Sequence, residues 1–239
     1  MCGRFVRQRE IDAIVREFGV DFYDCSLKPS YNVAPTQEVA VVIADGGDGK
    51  DSKKRLVAAR WGLVPPAAAS LSGGSRLINA RAETLIQKPA FKEAYLSRRC
   101  LVVANGFYEW QKEGGAKRPM YIRLKGDISF GFAGLYENWL SPEGKQIRTC
   151  TIITCEPNEI MSQIHNRMPV IMPREMENKW LDANIDAAMR LRLLKPYPAE
   201  EMKTWEVSSL VNSPANDSPD CIRPAVEFRL PVTQPSLPF

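Results

Sequence analysis

Apolar residues recur along this chain with two different periods, and the pattern divides it into elements. Ile11, Ile14, Val15 and Phe18 recur at three, one and three residues, which places one apolar face on a helix near the N-terminus. A loop ends in Tyr31-Asn32-Val33-Ala34-Pro35-Thr36, and the unbroken apolar run at 39–44 reads as a buried strand. Residues 45–54, rich in Gly, Asp and Lys, read as an exposed turn. Strand-like runs follow at 55–63, 100–112, 120–125, 129–139 and 147–155, with Glu113-Gly114-Gly115 and Pro142-Glu143-Gly144 as hairpin turns between them. Helices are predicted at 89–96, 158–163 and 174–194, the last with a break near Asn184.

Strands outnumber helices and short turns join most of them. The predicted fold is therefore a single α+β domain, a curled and largely antiparallel sheet with a barrel-like core and peripheral helices. Residues 1–228 read as the folded domain, and 229–239, with three prolines and no periodicity, as a flexible tail. Composition changes this picture little: 239 residues with 44% hydrophobic and 25% charged positions suffice for a core without covalent staples. A net charge of +4 does not by itself point to nucleic acid, though it admits a local basic groove. No segment has the length and apolarity of a membrane span, and Met1-Cys2-Gly3-Arg4-Phe5 is not a leader, so a cytoplasmic protein is expected.

Six cysteines stand at 2, 25, 100, 150, 155 and 221, with no CxxC pair and no nearby histidine, so neither a metal site nor a cofactor is expected. Cys2 differs from the other five. Removal of Met1 would set a free α-amine beside its thiol, and such an amine has a pKa of about 7.7–8.0 against about 10.4 for lysine. An aldehyde would condense with the amine, and the thiol could then close a five-membered thiazolidine ring. The single histidine, His165 in Ile164-His165-Asn166-Arg167-Met168-Pro169, falls after a predicted helix where a loop can present it, and imidazole exchanges protons near neutral pH. Glu109, in Gly106-Phe107-Tyr108-Glu109-Trp110, is the carboxylate in an apolar strand; it suits proton transfer or a structural ion pair. Asn79, in Leu77-Ile78-Asn79-Ala80-Arg81, ends a short strand, where capping the next helix is the plain alternative to a role in chemistry.

These blocks together resemble the SOS-response-associated peptidase (SRAP) family, which includes the abasic-site shield proteins. The matching blocks are Met1-Cys2-Gly3-Arg4-Phe5, Tyr31-Asn32-Val33-Ala34-Pro35, Arg60-Trp61-Gly62-Leu63-Val64-Pro65 and Asn79-Ala80-Arg81-Ala82-Glu83-Thr84. They continue with Gly106-Phe107-Tyr108-Glu109-Trp110, His165-Asn166-Arg167-Met168-Pro169, Val207-Ser208, Val211-Asn212 and Asn216-Asp217. The resemblance implies that Cys2 forms a thiazolidine with the opened sugar of an abasic site in single-stranded DNA. It assigns Asn79 to holding that sugar, Glu109 to acid/base work, and His165 to proton transfer near the phosphate. It further implies a β-lyase activity, reversal of the crosslink, and self-cleavage that removes Met1. Arg4, Arg81 and Arg167 lie within the blocks and are candidates for gripping phosphates, while Trp61 either packs on a base or fills the core. Two positions depart from the family pattern: Asn166 replaces the aspartate that commonly follows the histidine, and Pro66-Ala67-Ala68 lacks a common aromatic.

Two other readings fit parts of the sequence. Glutamine amidotransferases also begin Met-Cys-Gly, and an N-terminal-nucleophile amidohydrolase would release ammonia from glutamine. A non-covalent reader of modified DNA would leave no adduct. Finally, Gln234, Leu237 and Phe239 in the tail resemble the short peptide by which bacterial replication proteins bind the sliding clamp, a glutamine followed by two apolar anchors.

Overall fold

Two sheets share one core in the computed structural model, which describes residues 2–45 and 53–225. Residues 46–52, within the turn expected at 45–54, and the tail at 229–239 lie outside the described residues. The first elements are β1 (Arg4–Arg7), α1 (Ile11–Phe18), β2 (Phe22–Tyr23), β3 (Ser30–Val33), β4 (Glu38–Asp45) and β5 (Lys53–Trp61). Next come β6 (Asn79–Arg81), α2 (Pro89–Ser97), β7 (Arg99–Ala104), β8 (Gly106–Glu113), β9 (Ala116–Leu124), β10 (Phe130–Leu140) and β11 (Gln146–Cys155). The last are α3 (Glu159–Ser162), β12 (Met168–Pro169), β13 (Ile171–Met172), α4 (Glu177–Leu181), α5 (Ala187–Arg192) and β14 (Met202–Glu206). The α+β expectation holds, with strands dominant.

One sheet runs β14-β9-β8-β1-β3, antiparallel throughout. The other runs β12-β11-β10-β7-β4-β5-β2, and a parallel contact of β5 with β11, Arg60 beside Thr149 and Trp61 beside Cys150, joins its distant strands. That contact closes β4, β5, β11, β10 and β7 into a ring, the barrel-like core. A closed ring leaves those strands no free edge. Gly62 makes the turn that follows: its φ of 128° suits glycine, and a Cβ there would lie 2.5 Å from the Gly74 carbonyl oxygen.

The run expected to be one strand at 100–112 is two, divided at Asn105. Its backbone N–H donates to Val6, its side chain accepts from the Gln8 N–H at 2.9 Å, and its amide donates to Ser129 Oγ at 3.0 Å. At this buried corner the chain leaves the barrel sheet as β7 and enters the flat sheet as β8, a change that residue periodicity does not register. The helical run at 174–194 breaks between α4 and α5, and Asp186 caps α5 by accepting from the N–H groups of Ala188 and Met189. Buried Arg99 fixes α2 and α4 to β7 by donating to the carbonyls of Tyr95, Leu96, Trp180 and Asp182.

Between the sheets lies an aromatic cluster. Phe5 of β1 meets Trp61 edge-on at 5.1 Å and Phe132 at 5.9 Å, and Phe132 in turn meets Phe107 and Phe130. Trp61 is fully enclosed, and its indole N–H donates to the Ile78 carbonyl at 2.9 Å. It has no face to offer a base, which corrects its assignment as a DNA contact: its place is the core.

Glu177 is nearly buried at the start of α4, with Arg174 at 3.1 Å. Burial pushes its carboxyl up from the ordinary 4.5 to about 7, against the pull of Arg174. A carboxyl with a raised folded pKa favours the folded state fully below 4.5 and loses that contribution as pH rises through about 7. Wild-type stability should therefore fall between about pH 5 and pH 8 by an amount on the order of 1–3 kcal/mol. In Glu177→Gln the fall should be much smaller. Urea unfolding of both proteins at the two pH values checks this.

Candidate active site

The register of β1 against β8 sets the position of Cys2. Arg4 pairs with Tyr108 and Phe5 with Phe107, so the chain before Arg4 runs alongside Glu109 and Trp110. Cys2 is buried there, and its Sγ lies 3.8 Å from the Arg4 carbonyl. Burial first, and the charge of Glu109 second, push its thiol well above the ordinary thiol range.

Asn79 comes from the opposite side. It opens β6 rather than ending a strand, held by the parallel register of β6 on β11 that sets Asn79 beside Ile152. It caps no helix. Its side-chain N–H donates to the Cys2 carbonyl at 2.7 Å, and its Oδ1 is buried without a hydrogen bond among the described residues. Buried acceptors are seldom left unsatisfied, and one at the edge of a candidate site can serve a bound group. His165 completes the group. The Arg167 backbone N–H donates to its Nδ1 at 3.0 Å, so a neutral ring carries its proton on Nε2. Glu109 and His165 line one cleft of about 400 Å³, together with Trp110, Lys112, Lys117 and Asn212. A hollow of about 460 Å³ on the outer seam of the barrel, among Arg60, Lys145 and Arg148, contains none of the candidate reactive residues.

The arginines divide in role. Arg4 donates to Asn32 Oδ1 at 2.7 Å, the Val211 carbonyl at 2.8 Å and the Asn212 carbonyl at 3.1 Å, with its guanidinium 6.0 Å from the Trp110 ring centre. Asn32, buried, donates to the carbonyls of Val211, Ser213 and Asn216. Trp110 donates to Asn212 Oδ1 at 2.7 Å. Arg4 is thus a fastener of the C-terminal loop at the cleft wall. Arg167 grips Glu83 through two hydrogen bonds at 2.7 and 2.9 Å and the Thr154 carbonyl at 2.6 Å, and this contact holds the Glu83 carboxyl below its usual range. Arg81 is exposed on β6, and Asn166 is exposed beside His165.

The structure therefore brings Cys2, Asn79, Glu109 and His165 to one place from four separate segments. The sequence assigns no role to Asn32, Glu83, Trp110 and Asn212, which fall inside the motif blocks, nor to Lys112 and Lys117, which lie outside them. Period-two alternation in β8 would have set Trp110 and Lys112 on one face, but nothing local relates Asn32 or Glu83 to the site. Among the described residues no cluster of histidine, cysteine and carboxylate could hold a metal ion. No helix among them is long and apolar enough to cross a membrane.

Residues 1–214 match the model of the family described as SOS response associated peptidase (SRAP). The chain is 48% identical over 226 residues to the abasic site processing protein YoqW of Bacillus subtilis (strain 168), a match covering 93% of this chain and 99% of that one. It is 33% identical over 236 residues to the abasic site processing protein HMCES of Gallus gallus, covering 85% of this chain and 68% of the relative. A protein of Bacteroides thetaiotaomicron, solved by X-ray crystallography, superposes with a TM-score of 0.83 at 28% identity, over 94% of this chain and all of that one.

The division among the arginines is open to measurement. Arg4→Ala leaves Asn32 Oδ1 and the Asn212 carbonyl without this donor and should cost about 1–3 kcal/mol of stability in urea unfolding. Arg81→Ala, on the surface, should stay within about 0.5 kcal/mol.

Proposed function

Because the chain belongs to the SOS response associated peptidase family, we propose that it processes abasic sites in DNA and captures the lesion covalently through Cys2. Relatives at 48% and 33% identity bear the name abasic site processing protein. The observation that carries the reading is the grouping of four residues: Glu109 and His165 line one cleft, and buried Cys2, hydrogen-bonded by Asn79, lies beside Glu109.

Met1 leaves first, by hydrolysis of its peptide bond to Cys2, which consumes one water and frees the α-amine. The amine is partly uncharged at neutral pH and attacks C1′ of the ring-opened sugar aldehyde; loss of one water leaves an imine. The thiol then adds across the C=N bond, sulfur to carbon and its hydrogen to nitrogen, and the thiazolidine closes. A thiol kept protonated by burial suits this second position, since the amine supplies the first attack. The same protonated thiol weighs against the amidohydrolase alternative, in which sulfur attacks first. Glu109 moves the proton that opens the sugar ring and later assists closure. Asn79 fixes the Cys2 main chain through its N–H and offers Oδ1 to a sugar hydroxyl. His165, with its proton on Nε2, faces the adjoining phosphate. Elimination from the imine, with loss of a C2′ proton and departure of the 3′ phosphate, gives the lyase activity, and hydrolysis of the ring reverses capture.

This places the protein in the cytoplasm, on single-stranded DNA. Arg81, exposed at the site, and Arg167, in exchange for Glu83, are the phosphate contacts among the three arginines. The tail at 229–239, outside the described residues, would tether the protein to the sliding clamp through Gln234, Leu237 and Phe239.

Wild-type protein mixed with single-stranded DNA bearing one abasic site should yield an adduct that survives a denaturing gel. Cys2→Ser should leave only a labile imine, and a protein with Met1 retained should give neither species; a heat-stable adduct from Cys2→Ser at wild-type level would refute the thiazolidine. Glu109→Gln and His165→Ala should slow adduct formation or reversal by roughly 10²-fold or more while leaving DNA affinity near wild type. For the tail, a labelled peptide of residues 231–239 should bind the clamp saturably and lose binding when Leu237 and Phe239 become alanine.

A further inference from the structure

β8 and β9 continue beyond the strand that carries Cys2. β1 pairs with β8 no further than Tyr108, whereas the pairing of β8 with β9 runs on to Glu113 opposite Ala116. In this projecting hairpin Lys112 lies directly opposite Lys117. Like charges facing each other across a ladder are destabilising. The acids nearest in the hairpin do not relieve them, because Arg118 bonds both Glu113, at 2.5 Å, and Glu206, at 2.6 Å. Among the described residues neither lysine forms an ion pair. Both are exposed, and both line the cleft that holds Glu109 and His165.

Strand alternation accounts for the direction. Trp110 and Lys112 share one face of β8, and Lys117 and Pro119 are their partners on β9. Glu109, the one carboxylate of the cleft lining, is 3% exposed and lies about 10 Å along the strand from Lys112. The positive charge thus sits at the outer end of the cleft and the acid/base group at its floor. A polyanion whose reacting sugar sits on the floor would pass the lysines on its way out.

We infer that Lys112 and Lys117 form a phosphate-binding subsite that holds the DNA strand beside the captured sugar. The inference rests on the abasic-DNA reading and names the surface that the flanking strand follows. The uncompensated lysine pair lowers stability in the free protein, and the phosphate supplies the missing counter-charge.

The test measures binding apart from capture, using single-stranded DNA with a tetrahydrofuran abasic analogue, which has no aldehyde. Fluorescence anisotropy at several salt concentrations compares wild type, Lys112→Gln with Lys117→Gln, and Lys112→Glu alone. The plot of log affinity against log salt should become shallower by about 0.7 for each lysine removed, so by about 1.4 in the double variant. The difference from wild type should vanish on a minimal oligonucleotide limited to the lesion and its two neighbours. Melting temperatures should stay level or rise, since a repulsion is removed, and Lys112→Glu should gain most because the new carboxylate faces Lys117. An unchanged salt slope in variants that melt at or above the wild-type temperature would overturn the subsite. Failure of wild-type protein to form a Cys2-dependent adduct would instead overturn the functional reading, and the salt slope would still decide the subsite.

Discussion

Phe5 stands edge-on to Trp61 and Phe132, and this contact fixes the strand that carries Cys2. Chain termini fray unless something ties them down. Here β1 lies between β8 and β3, its aromatic residue is locked into the barrel core, and Arg4 fastens it to Asn32 and to the loop at 211–212. The reactive residue is therefore among the better-anchored positions of the chain. Placement of a nucleophile relative to its partners decides how much of a barrier is removed by orientation, and rigid support is what supplies it. The hydrogen bond from Asn79 to the Cys2 carbonyl meets an atom that the core has already positioned.

That anchoring has an electrostatic consequence. A terminus held this deep loses solvent, so the Cys2 thiol stays protonated and the neighbouring Glu109 reinforces the effect. Burial thus works against the thiolate, the form in which a cysteine attacks, and this fits the proposal that the amine reacts first. The five remaining cysteines are also buried, and burial raises the thiols of Cys100 and Cys150 in the barrel wall in the same way. Cys2 is distinguished from them by its place on the segment leading into β1, beside Glu109 and bonded by Asn79, rather than by a more acidic thiol.

Much of this was legible in the sequence, and the omissions have physical causes. Apolar periodicity located α1, β4, β9, β10 and β11 because each buries one side or both along its length. It fused β7 with β8, because both flanks of Asn105 are buried and a change of sheet leaves no mark in a run of buried residues. It could not foresee the closure of the barrel, a parallel contact between residues about ninety positions apart. Trp61 was undecided between core and surface, since a tryptophan in a strand fits either. For Asn79 a helix cap stands as the plain alternative to a role at the site, because a short polar residue before a turn fits it locally, while its actual partner is Cys2, 77 residues away. Cys2, Asn79, Glu109 and His165 stand out in the sequence by their chemistry and their motif blocks; Asn32, inside one of those blocks, draws no role there, because its partners are backbone carbonyls that no side-chain pattern records.

Three departures from the most stable arrangement lie in or beside one cleft. Asn79 keeps a buried acceptor without a partner, a cysteine occupies a fully enclosed position beside a carboxylate, and two lysines face each other across a hairpin. Elsewhere several buried polar groups are well satisfied, Arg99 by four carbonyls, Asn105 by backbone and side-chain partners and Trp180 by the Cys100 carbonyl, while Tyr95 Oη, Thr151 Oγ1 and Thr204 Oγ1 lack a hydrogen bond among the described residues. A sequence under selection for stability alone would relieve such departures by single substitutions, since exposed lysines and an unpaired amide oxygen are easily replaced. An acceptor, a thiol and a pair of cations placed around Glu109 fit a surface kept for a ligand. The three departures also differ in kind, an acceptor, a nucleophile and a pair of cations. A sugar hydroxyl, an aldehyde carbon and a phosphate chain satisfy those three demands in one molecule.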